Sequence, residues 1–203
     1  MGNRAVITTR NKKVGIYLHW NGGRDSVEAF LKYCELQGFR SPDKDCYGWA
    51  RLTQVISNFF GGSTSIGFDE YYKLYTDNYD NGVYIIEGWE IVGREFFEGP
   101  EQHEYELDLM LKSIDNKQPK HMQLGELLEA EEVDTKDLKI GDIVFIQGWE
   151  GYEKHKVVGF GDDTVINGTN VKGLPYVDKY GNDYSENINN YVTTEKIRKV
   201  VKK

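Results

Sequence analysis

Cys46 stands in the run "KDCYGWARL", residues 44–52, between an aspartate and a Tyr-Gly pair, where an amphipathic helix is expected to begin. A thiol at a helix N-terminus meets unpaired N–H groups and the positive end of the helix dipole; a thiolate favoured in this way, with a histidine as base, is a nucleophile. The other reading makes Cys46 a plain helix-start thiol. The run "LHWNGGRDS", residues 18–26, carries different chemistry. A strand is expected to turn there through Gly22-Gly23 into a helix, with His19, Asn21 and Arg24 as donors around the turn. Glycines let a ligand approach the backbone and helix N-termini attract negative charge, so this turn is a candidate anion site.

The elements that position these residues follow from periodicity. "RAVITTR" and "VGIYLHW" alternate apolar and polar residues around "NKK" and predict an opening hairpin. Asp25, with Glu28 three residues on, resembles the start of a capping box. The helix that follows would bury Val27, Phe30, Leu31 and Cys34, which makes Cys34 a core residue. A second helix is expected from about Cys46 to Phe60, with Trp49, Leu52, Ile56 and Phe59 inward and Gly61-Gly62 ending it. Its opposite stripe is Tyr47, Arg51, Gln54 and Asn58. That stripe is either a solvated face or the polar wall of a site, which Asn3 and Arg4 would complete if the hairpin packs over this helix.

Further along, "YYKLYT" and "GVYIIEGWEIVGREFF" predict strands joined through "DNYDNG", with Asn81-Gly82 in a hairpin turn. "HEYELDLMLKSI" and "QLGELLEAEEV" predict two acidic helices, with His103 and His121 as exposed histidines. From Val133 onward, strands separated by Gly, Asn and Asp predict a small antiparallel barrel or sheet. "GVYIIEGWE" and "DIVFIQGWE" repeat Ile-x-Gly-Trp-Glu, a recurrent strand-turn solution whose Trp89 and Trp149 could frame a pocket. The expected fold class is α+β: a main domain over residues 1–98, an acidic helical connector over 99–134 and a β-rich, small-barrel-like module over 135–203.

The net charge of −8 is unevenly spread. Residues 1–65 carry 9 basic and 5 acidic groups, residues 66–135 carry 5 and 18, and residues 136–203 carry 11 and 10. The acidic middle would repel a phosphate polymer, which disfavours bulk DNA or RNA binding but leaves room for a small anion near the N-terminal part. Two cysteines are too few for a disulfide framework and lack zinc-site spacing, so reduced thiols are expected, with no metal and no cofactor. No apolar run reaches membrane-spanning length and the start "MGNRAVITTR" lacks a signal-peptide core; a cytoplasmic location is the expectation.

Asp45-Cys46-Tyr47-Gly48 and "DLKIGDIVFIQGWEGYEKHKVVGF" together resemble the NlpC-type, papain-like cell-wall peptidases. In that family Asp-Cys-(aromatic or Ser)-Gly opens the nucleophile helix, and Leu-x-x-Gly-Asp-x-Val-Phe precedes a strand beginning at the catalytic histidine. The resemblance makes Cys46 the nucleophile and His155 the base, with Asn167 the nearest third polar residue. The 109 residues from Cys46 to His155 exceed the family's spacing. "NRAVI", "GIYLHWNGGRDSVEAFLKYC", "YGWARLTQVISNFFGG" and "DNYDNGVYIIEGWEIVGR", across residues 3–94, resemble a family of uncharacterised proteins carried by bacterial viruses, plasmids and other mobile elements. That family implies no assigned activity; by analogy, such proteins can sequester a host defence signal without chemistry.

The leading expectation is a protein that binds a small anionic, nucleotide-like ligand. A base would stack on one of the 27 aromatic residues, and Arg4, Arg24 or Arg51 would meet the phosphate, with His19, Asn21, Gly22, Gly23, Tyr47 and Gln54 around it. The alternatives are a Cys46–His155 amide hydrolase and an acidic protein-interaction module using Glu126, Glu129, Glu131 and Glu132. A host protein or a second copy of the chain is a further candidate partner.

Overall fold

A computed structural model describes residues 2–63, 65–101, 103–133, 137–139, 141–148, 151–160, 166–170 and 197–200. The fold is α+β, and the chain divides into two units, Met1–Gln123 and Leu124–Lys203.

The first unit contains β1 (Ala5–Thr9), β2 (Val14–Leu18), α1 (Arg24–Leu36), α2 (Cys46–Phe60), β3 (Ile66–Glu70), β4 (Val83–Glu87), β5 (Glu90–Glu95) and α3 (Leu107–Lys117). The strands form one sheet in the order β3-β2-β1-β4-β5, antiparallel except for the parallel pair β1–β4. All five residues of β1 are buried, as expected of a central strand covered on both faces. Register places Ile7 beside Ile16 and Tyr84 on one face. On the other face Leu74 closes over Gly15, where an added Cβ would lie 2.9 Å from its side chain. Helix α1 lies against β5 and α2 against β3, and α3 packs on both helices. Val27, Phe30, Leu31, Cys34, Leu52 and Ile56 are buried where the helical periodicity put them. Phe59 meets Phe30 edge to face at 5.2 Å.

Several sequence expectations change. Asp25 does not cap α1; Gly23 occupies that position in extended conformation with no side-chain cap. "YYKLYT" forms a 3-10 turn over Tyr71–Lys73, and the strand beside β2 is the preceding segment Ile66–Glu70. Asn81-Gly82 is not a hairpin turn, because β4 pairs in parallel with β1 and antiparallel with the following strand β5. The real hairpin turn is Gly88-Trp89, between Glu87 and Glu90. Residues 99–134 do not form a connector: α3 belongs to the first unit, and "GELLE" is a short 3-10 helix followed by a strand of the second.

In the second unit β6 (Ala130–Val133), β7 (Ile143–Gly148), β8 (Gly151–Phe160), β9 (Ile166–Asn170) and β10 (Ile197–Val200) form a sheet in the order β6-β10-β7-β8-β9. Every pairing is antiparallel, and among the described strands β6 and β9 lie at the two ends of the order. Leu138, Val144, Ile146 and Val157 form one apolar cluster, and Leu127, Ala130 and Phe145 another.

Helix α3 is fixed to α1 by a buried polar network. The Tyr33 hydroxyl lies 2.7 Å from Asp115 Oδ1 and 2.9 Å from the Met122 carbonyl, and Gln37 donates to that same carbonyl. Removing the hydroxyl leaves buried acceptors short of a donor, at a cost of about 1–3 kcal/mol. Tyr33→Phe is therefore expected to lower stability by about that amount in chemical denaturation, with the earliest loss of amide protection in α3.

Candidate functional site

The Gly-Gly turn is held in place from within the protein. Gly22 N donates to the Asn3 carbonyl at 2.8 Å, and the Gly22 carbonyl accepts from Tyr84 Oη at 3.0 Å. A Cβ on Gly22 would lie 2.7 Å from both the Arg4 carbonyl carbon and the Asn3 oxygen. Gly22 is thus required by close approach of the backbone to the start of β1. Asn21 takes a left-handed φ of 53°, which a short polar side chain tolerates. His19 and Trp20 are exposed and stack edge to face at 5.0 Å.

The position an anion would take at α1 is beside a carboxylate of the protein. Asp25, in the first turn, is buried and accepts from Ser26 N, Glu104 N and Tyr105 N. Its negative charge complements the helix dipole. Arg24 is paired with Glu28 at 2.7 Å and Glu101 at 3.4 Å. Arg4 is paired with Asp80 at 2.6 Å, a hydrogen bond that pushes its pKa further up. The structure therefore gathers Arg4, His19, Asn21, Gly22 and Gly23 around the turn, but Arg4 and Arg24 are both committed to carboxylates.

Tyr47, Arg51 and Gln54 share the outer stripe of α2. The Arg40 guanidinium lies over the Tyr47 ring at 5.0 Å and pairs with Asp45 at 2.7 Å. Arg51 lies over the Phe39 ring at 5.4 Å and donates to Gln54 Oε1 at 2.8 Å. Among the described arginine side chains, Arg4, Arg10, Arg24, Arg40 and Arg94 each pair with a carboxylate, and Arg51 does not. Asn58, at the end of the stripe, is tied to Gln118 at 2.9 Å. Trp89 donates from Nε1 to the Phe39 carbonyl at 2.9 Å and so supports this region rather than framing a pocket; Trp149 lies outside the described residues.

The cysteine reading divides between the units. Asp45 caps α2 by accepting from Tyr47 N and Gly48 N, and Cys46 follows it, exposed. Cys34 is fully buried and burial pushes its thiol well up, which makes it inert. His155 is on β8 of the second unit, with 1% of its surface exposed, opposite Val144. Its Nε2 is 3.6 Å from Glu153, and burial lowers its pKa below the ordinary value. The Asn167 side chain lies outside the described residues.

A cleft of about 650 Å³ was not anticipated from the sequence. Asp77, Tyr79, Asp80, Phe96, Phe97 and Glu98 line it. Its two contributing runs, "DNYD" and "FFE", are separated in sequence and read as a turn and a strand end. Only the combination of aromatic and acidic residues in both offered a signal.

The depressed pKa of His155 has a definite sign. The unfolded histidine, with an ordinary pKa of about 6.5, binds a proton at pH values where the folded one does not. Stability of the second unit is accordingly present above about pH 6.5 and lost as pH falls toward the lowered folded value. Hydrogen exchange of β7 and β8 amides is expected to show this loss, and His155→Gln to flatten it. No protein-family model, curated protein or solved structure matches the chain.

Proposed function

We propose that this is a binding protein for a small, planar, anionic ligand, nucleotide-like in class, held on the outer face of α2. The carrying observation is Arg51: an exposed guanidinium stacked beside Phe39, without a carboxylate partner among the described residues. Arg40 over Tyr47 places a second guanidinium–aromatic pair on the start of the same helix. A guanidinium offers a planar fork to phosphate oxygens, and an exposed ring gives a base a stacking surface; neither requires a reactive group. This moves the expected anion contact away from the α1 entry, where Asp25, Glu28 and Glu101 already engage the donors. Since neither contact transforms the ligand, the role proposed is to sequester it.

The test is calorimetry at low salt against mono-, di- and cyclic nucleotides. One class is expected to bind, with affinity falling as salt rises because the contact is exposed. A charged hydrogen bond contributes about 1.5–3 kcal/mol, so Arg51→Ala should weaken binding at least about tenfold. Arg51→Lys should restore only part of it, since an ammonium keeps the charge but loses the fork and the stacking plane. Absence of heat with every nucleotide, or unchanged affinity in Arg51→Ala, would sink the proposal.

A further inference from the structure

Two of the aromatic residues lining the 650 Å³ cleft are placed where folding of the free chain gains little. Tyr79 and Phe96 have φ values of 58° and 52°, a left-handed conformation that bulky residues rarely adopt. Neither ring is rewarded by burial: Tyr79 is 80% exposed and Phe96 54%. The same cleft is lined by the exposed carboxylates of Asp77 and Glu98, which have no ion-pair partner among the described residues. The cleft thus offers two aromatic rings and two uncompensated negative charges to whatever enters it.

The walls of the cleft also show which cation suits them. The Arg94 guanidinium is held against Phe97, 3.9 Å from the ring centroid, with Tyr84 on its other side at 3.8 Å. Its Nη1 donates to both oxygens of Glu101 at 2.9 Å. Asp80 accepts from Arg4 Nε at 2.6 Å. One ring of the cleft wall, Phe97, and one carboxylate, Asp80, thus each already engage an arginine from the protein side. Tyr79, Phe96, Asp77 and Glu98 present the same two groups to the outside.

We infer that this cleft is a docking site for an arginine-bearing segment of a partner protein, one guanidinium lying on Phe96 or Tyr79 and donating to Asp77 and Glu98. Cation–π attraction and charge-assisted hydrogen bonds recognise a guanidinium together, whereas an ammonium lacks the planar fork. The site is separate from the α2 face and does not rest on anion binding there.

Fluorescence polarisation of a labelled Gly/Ser peptide carrying two arginines tests the inference, with lysine and citrulline versions as controls. The full-length protein is expected to bind the arginine peptide at least threefold tighter than the lysine peptide and to ignore the citrulline one. Asp77→Asn with Glu98→Gln should reduce binding at least tenfold. Glu104→Gln with Glu106→Gln, an equal change of net charge at exposed positions outside the cleft, should not. Tyr79→Gly and Phe96→Gly should weaken binding while leaving the thermal midpoint unchanged or higher, since each relieves an unfavourable φ. Loss of binding in both charge variants alike would reduce the effect to net charge and overturn the inference. So would equal binding of arginine and citrulline peptides, no binding to the native protein, or free arginine amide binding as tightly as the peptide. Arg51→Ala should leave peptide binding intact, which separates this site from the anion site.

Discussion

Parallel pairing of β1 with β4, Val6 against Val83 and Thr8 against Ile85, joins the opening hairpin to the hairpin β4–β5. Once β1 is flanked on both edges and covered on both faces, its backbone groups must find partners in its neighbours, because water cannot reach them. The approach to β4 is built to satisfy that requirement. Val6 N donates to the Gly82 carbonyl, and Asn81 N to the Arg4 carbonyl. Asn78, fully buried, donates to the Gly82 carbonyl and accepts from Asp80 N and Gly82 N. Gly82 itself has a φ of 62°, and a Cβ there would overlap the carbonyl oxygens of Glu95 and Phe96. The cleft is a product of the same constraint: the turn that carries Tyr79 and Asp80 and the segment just after β5 that carries Phe96 meet because both are anchored around Gly82.

Charge is organised around this framework. The acidic excess of the middle of the chain becomes a set of local partners rather than a uniform field. Asp80 holds Arg4, Glu87 holds Arg10, Glu95 holds Lys12, and Glu101 holds both Arg24 and Arg94. Each pair ties the N-terminal part or β5 to a carboxylate from the middle segment. The exposed pair Arg10–Glu87 contributes little stability by itself, and the others are only partly buried. Their larger effect is local: among the described arginines only Arg51 is left without a carboxylate, and in the cleft Asp77 and Glu98 are left without a cation among the described residues.

Local signals in the sequence were dependable where they depend on a few neighbouring residues. The period of α2, its Asp45 cap and its left-handed Gly61 terminus are all formed, as are the buried faces of α1 and α3. The β-rich character of the C-terminal part is also present. Partner choice was not legible. "DNYDNG" has the residues of a hairpin turn, yet its asparagines and glycine serve a parallel strand pair, a decision made by β1 more than seventy residues away. Asp25 has the identity and position of an N-cap, but its carboxylate turns to the Glu104 and Tyr105 amides instead.

The run around Cys46 shows the same division. Sequence alone determined that a helix starts there, that an aspartate caps it, and that an exposed stripe with Arg51 runs along its outer side, because these follow from 3.6-residue periodicity and capping chemistry. Tertiary structure decided what those residues have as neighbours. It placed His155 in the other unit, within a buried sheet face, and set Phe39 beneath Arg51. It also left Arg51 without a carboxylate while supplying one to the other described arginines. Contacts between distant segments depend on the packing of whole elements, and no local pattern of residue types encodes them.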